Sequence, residues 1–144
     1  MRAVPDYRSD QAAGLRRLFG RRQTRVVTFA AGSAGVGKSV LVANLAASLA
    51  RMGKEVLVLD ENTRNSVSGV FGALARYDLC QAIDREKSVS EVLVSPAPGV
   101  RILPAARAVK RLGKLNQSEQ DALMESLSGM EQPGKSIAAL HRAM

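Results

Sequence analysis

The chain has 144 residues, the size of one domain, and 46% of them are apolar, enough for a largely aliphatic core. Its longest uncharged runs, residues 26–37 and 39–50, are shorter than the roughly 20 residues of a membrane span, and its first residues show no apolar leader. The single cysteine excludes an intrachain disulfide framework and fits a reducing cytoplasm. Disulfide-rich secreted proteins, integral membrane proteins and low-complexity chains are therefore excluded as classes.

The net charge of +8 is concentrated near the amino terminus, because residues 1–25 carry seven arginines against two aspartates. Such a basic arm is either a solvated leader or a docking segment for an acidic partner surface, and composition alone leaves both open. Within it, apolar residues at helical spacing predict a short helix over Arg8–Phe19, followed by a polar linker.

The next segments predict a strand–turn–helix–strand unit. Arg25–Ala30 and Val56–Leu59 are continuous apolar runs, typical of strands that are covered on both faces. Between them, Ser39–Met52 predicts a helix whose apolar face carries leucines at positions 41, 45 and 49, with Val42 and Ala46 beside them. A βαβ unit with a parallel pairing follows from this order.

Weaker patterns follow downstream. The sequence predicts a short helix within Val67–Arg76, helical turns at Tyr77–Ile83 and Ser88–Leu93, a loop over Ser95–Gly99, a short strand at Val100–Leu103 and a helix over Ser118–Leu127 capped by Ser118.

One motif carries chemistry. It fits the G-x-x-x-x-G-K-[ST] pattern of a phosphate-binding loop (P-loop) and comprises Gly32, Ser33, Ala34, Gly35, Val36, Gly37, Lys38 and Ser39. Glycines let backbone N–H groups approach phosphates, and the following helix directs its positive end at the same anion. Lys38 adds a full charge, and the Ser39 hydroxyl suits Mg²⁺. The motif lies directly between a predicted strand and a predicted helix, as this function requires.

Asp60 follows the second predicted strand. Because ligands of parallel α/β sheets bind at the carboxyl ends of the strands, its carboxylate is a candidate to hold Mg²⁺ through water. An ordinary aspartate at a strand end is the alternative.

These segments resemble a known family. Ala31–Ser39, Val42–Ala46 and Gly53–Asp60 are similar to the corresponding motifs of the MinD/ParA class of P-loop ATPases. Asp10–Arg17 resembles the D-Q-A-x-x-L-R element of the FlhG (FleN) family within that class, which controls flagellar number and placement in bacteria, and Gly99–Ala105 is similar to the segment that follows the class's third strand.

The resemblance implies an α/β fold with a mostly parallel sheet flanked by helices, which binds ATP and Mg²⁺ and forms a homodimer when ATP is bound. It further implies a cytoplasmic protein, peripheral at the cell pole, that acts on flagellar switch components and a FleQ-like transcription activator. The amino-terminal helix would dock on an FlhF-type GTPase. The matching positions for that contact are Asp10, Gln11, Leu15 and Arg16.

Three departures from the class predict weak or absent ATP hydrolysis. Ser33 stands where the class has a second P-loop lysine, and Asn62 stands where an aspartate orients the attacking water. No acidic residue follows Glu131, so the Walker B carboxylate is missing, and we expect its strand beside the P-loop strand to be missing too. The sequence thus predicts a docking arm at 1–24, an incomplete ATP-binding domain at 25–130 and a divergent or truncated tail at 131–144.

Two other functions stay open at this point. One is a binding module that acts through the amino-terminal helix without catalysis. The other is a ParA-like partitioning ATPase associated with DNA, which the basic composition permits.

Overall fold

The computed structural model describes residues 25–33, 35–62, 64–128 and 136–141. In this part of the chain the strands are β1 (Arg25–Phe29), β2 (Glu55–Asp60), β3 (Val94–Ala97), β4 (Val100–Pro104) and β5 (Ser136–His141). The helices are α1 (Lys38–Arg51), α2 (Val67–Val70), α3 (Leu79–Ile83), α4 (Val89–Val92), α5 (Val109–Leu112) and α6 (Gln117–Ser128). The helix expected over Arg8–Phe19 lies outside the described residues.

The strands form one sheet in the order β1-β5-β2-β4-β3. Every pairing is parallel except the one between β3 and β4, which is antiparallel. Two apolar clusters cover opposite faces of the sheet, one containing α1 and α2 and the other containing residues of α3, α4 and α6. The predicted α/β class, with a mostly parallel sheet flanked by helices, is confirmed.

The expectation that the strand beside the P-loop strand is missing is wrong. β5 lies between β1 and β2 and pairs with both, with Val27 opposite Ala139 and Val58 also opposite Ala139. Alanines are poor strand formers in isolation, but two flanking ladders override that preference. The absence of an acidic residue at its carboxyl end remains, since the last residue of β5 is His141.

Helix α1 buries a different face from the one that its leucines predict. Its buried residues are Ser39, Val42, Ala43 and Ala46, whereas Leu41 is 58% exposed and Leu45 is 38% exposed. The small side chains let the helix lie close to the valines of β2 and β4 in the same cluster. The predicted helix is confirmed in its extent. Its predicted apolar face is confirmed at Val42 and Ala46 and is wrong at Leu41, which is mostly exposed.

Two smaller expectations are also corrected. The predicted loop at Ser95–Gly99 overlaps β3, an edge strand, where Pro96 is tolerated because an edge strand has one unpaired side. The cap of α6 is Asn116 rather than Ser118: the Asn116 side chain accepts from the Glu119 N–H, and the Glu119 carboxylate accepts from the Asn116 N–H, both at 2.9 Å.

No helix among the described residues is long and apolar enough to cross a membrane.

Asp78 joins α3 to the segment after β4. It is 6% exposed, and its carboxylate accepts from the N–H groups of Cys80 and Arg107, each at 3.0 Å. We expect Asp78→Ala to lower the free energy of unfolding by about 2 kcal/mol, because both N–H groups lose their acceptor. Urea denaturation checks this, with Glu86→Ala, which removes an exposed acid just after α3, as a control that should change much less. Equal midpoints for the two variants would contradict it.

Cys80, half-buried in α3, is expected to react slowly. Burial, together with the neighbouring Asp78 carboxylate, raises the pKa of its thiol, so less thiolate is present at a given pH. We expect iodoacetamide at pH 8 to alkylate the folded chain several-fold more slowly than the urea-unfolded chain. Because this is the chain's one cysteine, mass spectrometry reads the rate without ambiguity, and equal rates would overturn the prediction.

Candidate nucleotide-binding site

The loop between β1 and α1 has the backbone that its glycines allow. Gly35 and Gly37 have φ values of 78° and 83°, in the left-handed region where residues with a Cβ are strained. A Cβ at either position would meet no atom within 4 Å, so the requirement is conformational and not steric. Left-handed glycines in such a loop are what turns successive N–H groups toward an anion. Ala34 lies outside the described residues.

Helix α1 begins at Lys38, directly after this loop. Gly37 caps it without any side-chain hydrogen bond, and its first turn contains no acidic residue. The positive end of the helix favours an anion at this place. Lys38, half-buried, adds its ammonium charge at the same end.

Ser39 is held in place by the loop that follows β2. The residue is 6% exposed, and its hydroxyl donates to the backbone carbonyl of Asn65. A hydroxyl oxygen is one of the ligand types that magnesium takes in proteins.

Asp60 ends β2 and organises the same loop. The residue is 2% exposed, its Oδ1 accepts from the Asn62 N–H at 3.1 Å, and its Oδ2 accepts from the Val67 N–H at 2.6 Å. Ser39 and Asp60 thus both hold the segment 61–67, at Asn65 and Val67 respectively. The structure brings these two sequence-predicted metal ligands to one edge of the sheet.

The two candidate catalytic positions differ in their surroundings. Lys38 lies at the start of α1, and Asn62 is half-buried and bonded through its backbone to Asp60. Ser33 is exposed on the loop. The structure therefore keeps Asn62 near the predicted site but gives Ser33 no buried setting there.

Sequence reasoning did not include Asn65, and it placed Glu61 outside the site. Glu61 is only 8% exposed and follows the buried Asp60, so two acids are buried in succession at the strand end. Asn65 contributes a backbone carbonyl, which no side-chain pattern can reveal. The succession of two acids after an apolar strand was the available indication for Glu61. The four residues expected to dock on a partner (Asp10, Gln11, Leu15 and Arg16) lie outside the described residues.

A parallel sheet, a left-handed glycine loop and a helix that opens on Lys-Ser together define a P-loop nucleotide-binding fold. Residues 27–143 match the family model for the CobQ/CobB/MinD/ParA nucleotide-binding domain, so the chain belongs to that family. The match extends over β5, which agrees with its place inside the sheet.

Individual relatives fall in several branches of that family. The chain is 27% identical over 115 residues to the antiactivator FleN of Pseudomonas aeruginosa, covering 79% of this chain and 41% of FleN. It is 35% identical over 85 residues to the chromosome-partitioning ATPase Soj of Thermus thermophilus, covering 59% of this chain and 33% of Soj. The chain thus spans between a third and about two fifths of the length of these relatives.

A solved structure supports the fold. Cobyrinic acid a,c-diamide synthase from Mycobacterium smegmatis, with bound ATP analog and magnesium, superposes with a TM-score of 0.59 at 21% identity. The superposition covers 81% of this chain and 50% of that one. At this identity the likeness concerns the fold.

Proposed function

We propose that the chain binds ATP together with a divalent cation at residues 32–39. The observation that carries this proposal is the pair of left-handed glycines leading into a helix whose first two residues are Lys38 and Ser39. The oxygens of Ser39 and Asp60 suit magnesium, which takes oxygen ligands and keeps several waters. When bound, the cation would neutralise phosphate charge. The solved relative that holds an ATP analog and magnesium supports the same assignment.

Equilibrium binding of a fluorescent ATP analogue tests this function. We expect saturable binding that unlabelled ATP displaces, since the left-handed glycines lead directly into the positive end of α1, where Lys38 is the first residue. A folded chain that shows no binding at millimolar ATP would refute the proposal. Circular dichroism of the same sample establishes that the chain is folded.

The proposed biological role is regulation of flagellar number and placement in a bacterial cytoplasm, at the cell pole. Similarity to the antiactivator FleN supports it, as does the Asp10–Arg17 element. In this role the amino-terminal segment docks on an FlhF-type GTPase, and the ATP-bound form pairs as a homodimer. A FleQ-like activator and flagellar switch components are the further proposed partners.

The docking proposal is tested with the full chain. Replacing both Leu15 and Arg16 with alanine should abolish stimulation of GTP hydrolysis by an FlhF-type GTPase, while nucleotide binding by the chain stays unchanged. Stimulation that survives this double replacement would refute the docking role of the segment. Stimulation that survives loss of ATP binding would instead favour a binding module that needs no catalysis.

Hydrolysis is proposed to be slow. Ser33 carries no charge to stabilise a transition state, and Asn62 provides no carboxylate to orient water. Phosphate release at the rate of free ATP would agree with this proposal, and sustained turnover would contradict it.

A DNA-associated partitioning role is the second candidate, and one surface favours it. In the segment 105–114, Ala105 and Ala108 are buried against the sheet's apolar cluster. The four basic residues of the segment are all exposed: Arg107, Lys110, Arg111 and Lys114. Among their contacts, Arg111 forms an ion pair with Asp84, and the Arg107 guanidinium donates to the Gln81 side chain at 3.4 Å. DNA binding that weakens steeply with salt would support this candidate, and its absence at low salt would exclude it.

A further inference from the structure

One side of helix α1 carries apolar side chains that the described part of the chain leaves exposed. Leu41 and Leu45 lie on the helix, and Met52 follows its last residue. At about 100° per residue, Leu41 and Leu45 point roughly 180° and 140° away from Ala50 around the helix axis. Ala50 lies toward β4, because a Cβ built on Gly99, the residue before β4, would be 3.1 Å from the Ala50 Cβ. The two leucines therefore point away from β4.

The side of α1 that faces away from β4 is the side of β1. The sheet order is β1-β5-β2-β4-β3, and α1 contacts β5, β2 and β4, so β1 lies on the leucine side of the helix. Phe29 of β1 packs against the cluster that contains α1, and Val27 shares its face because side chains alternate along a strand. Val27 is nevertheless 43% exposed. We call Val27, Leu41, Leu45 and Met52 the β1–α1 surface.

No described helix covers the β1–α1 surface. Among the described residues, the helices that contribute to the apolar cluster on this face of the sheet are α1 and α2, and the other helices that pack on the sheet contribute to the cluster on the opposite face. β1 is also an edge strand. An apolar segment that packed beside α1 and over β1 would remove these side chains from water.

The segment that leads into β1 suits this surface. Residues 8–19 have the pattern of an amphipathic helix. Its apolar residues at helical spacing are Ala12, Leu15, Leu18 and Phe19. The five-residue linker 20–24 joins this segment to Arg25, where β1 begins, and can span about 17 Å. Neighbouring helices pack about 8–10 Å apart, so the linker is long enough to bring the segment beside α1.

The direction and length of α1 agree with this placement. α1 connects β1 to β2, which run in the same direction in the sheet, so the helix runs opposite to them. Its carboxyl end, next to Met52, therefore lies at the edge where β1 begins and where the linker enters. The 14 residues of α1 extend about 21 Å, and a helix over residues 8–19 would extend about 18 Å.

We propose that the chain's own residues 8–19 pack on the β1–α1 surface, with their apolar side against Leu41 and Leu45. The contact does not depend on bound nucleotide. It has a consequence that rests on the proposed docking role: Leu15 belongs to both contacts, so a segment held on α1 is withheld from an FlhF-type GTPase.

Disulfide trapping in the full chain tests the contact. All variants carry Cys80→Ser, which removes the one native cysteine. Leu15→Cys is combined in turn with Leu45→Cys and with Met52→Cys. Val40→Cys replaces them in the matched control, because Val40 is exposed on the same helix but points about 140° away from Leu45. A disulfide needs Cα atoms within roughly 7 Å, so we expect at least one of the first two pairs to form an intrachain bond about tenfold faster than the control.

Alkylation of a single cysteine gives a second measurement that needs no cross-link. In the Cys80→Ser chain, we expect iodoacetamide to modify Leu45→Cys several-fold faster when Leu15→Ser and Leu18→Ser are also present, because the segment then no longer shields it. The rate at Val40→Cys should stay the same. Circular dichroism confirms that each variant is folded.

Two results would overturn the proposal. One is an intrachain disulfide rate at Leu45→Cys and Met52→Cys no higher than at Val40→Cys, together with alkylation at Leu45→Cys that the serine replacements leave unchanged. The other is disulfides that form only between chains, which would assign the β1–α1 surface to a second copy. Neither measurement contains a GTPase or a nucleotide, so failure of the proposed function would leave both results unaffected.

Discussion

Replacing Lys38 with alanine is expected to weaken ATP binding by about 100-fold without unfolding the chain. Lys38 is the first residue of α1 and lies beside the left-handed Gly37, so its ammonium adds a full charge where the helix already favours an anion. Losing a charged hydrogen bond costs about 1.5–3 kcal/mol, and each 1.4 kcal/mol is tenfold in affinity.

Calorimetric titration with ATP in the presence of Mg²⁺ measures this effect. Lys54→Ala is the matched control, because Lys54 is an exposed lysine in the turn before β2, and it should bind ATP as the unaltered chain does. If both variants retained full affinity, the phosphate site would lie elsewhere. If both lost affinity alike, long-range charge rather than the loop would be responsible.

Replacing Asp60 with alanine is expected to lower the free energy of unfolding by about 3 kcal/mol, because the N–H groups of Asn62 and Val67 lose their acceptor. Val67 is fully buried, so its N–H cannot turn to solvent. The same change releases the segment 61–67 from the strand end, and cation-dependent nucleotide binding should weaken with it.

Urea denaturation measures the stability change, and Asp60→Asn is the informative companion because its amide oxygen can still accept one of the two hydrogen bonds. It should lose less stability than Asp60→Ala. Asp121→Ala, at an exposed position of α6, is the control for removing an acid and should hardly change the midpoint. An Asp60→Ala variant as stable as this control would contradict the role assigned to the carboxylate.

The sequence predicts best those parts of the site that a short continuous stretch of residues forms. A glycine loop between an apolar strand and a helix determines the phosphate-binding geometry over eight residues, and the structure has the strand, the left-handed glycines and the helix in these places. Asp60 was predictable for the same reason, since it ends an apolar strand whose direction is given by the βαβ order.

Periodicity predicted the buried face of α1 only in part, at Val42 and Ala46. Apolar residues surround the helix, with Val40, Leu41 and Leu45 exposed and Val42 and Ala43 buried. Periodicity identifies a face only where polar residues mark its opposite, and here packing against the sheet chose the smaller side chains.

A local sequence pattern also could not predict the contacts between distant segments of the chain. β5 consists of a short run with two alanines, and it is a strand because β1 and β2 flank it. The bond from the Ser39 hydroxyl to the Asn65 carbonyl is another such contact, because a backbone acceptor leaves no trace in residue type.

The position of β5 also sets the order in which the sheet can assemble. β1 and β2 never pair with each other directly, so Arg25 stays without its ladder until Ile137 has been synthesised. Pairings of such long sequence separation slow folding, because the chain loses the entropy of a long loop before the ladder forms. On the ribosome, the βαβ unit emerges with an open gap at its centre, and the sheet closes only after residues 136–141 have left the exit tunnel.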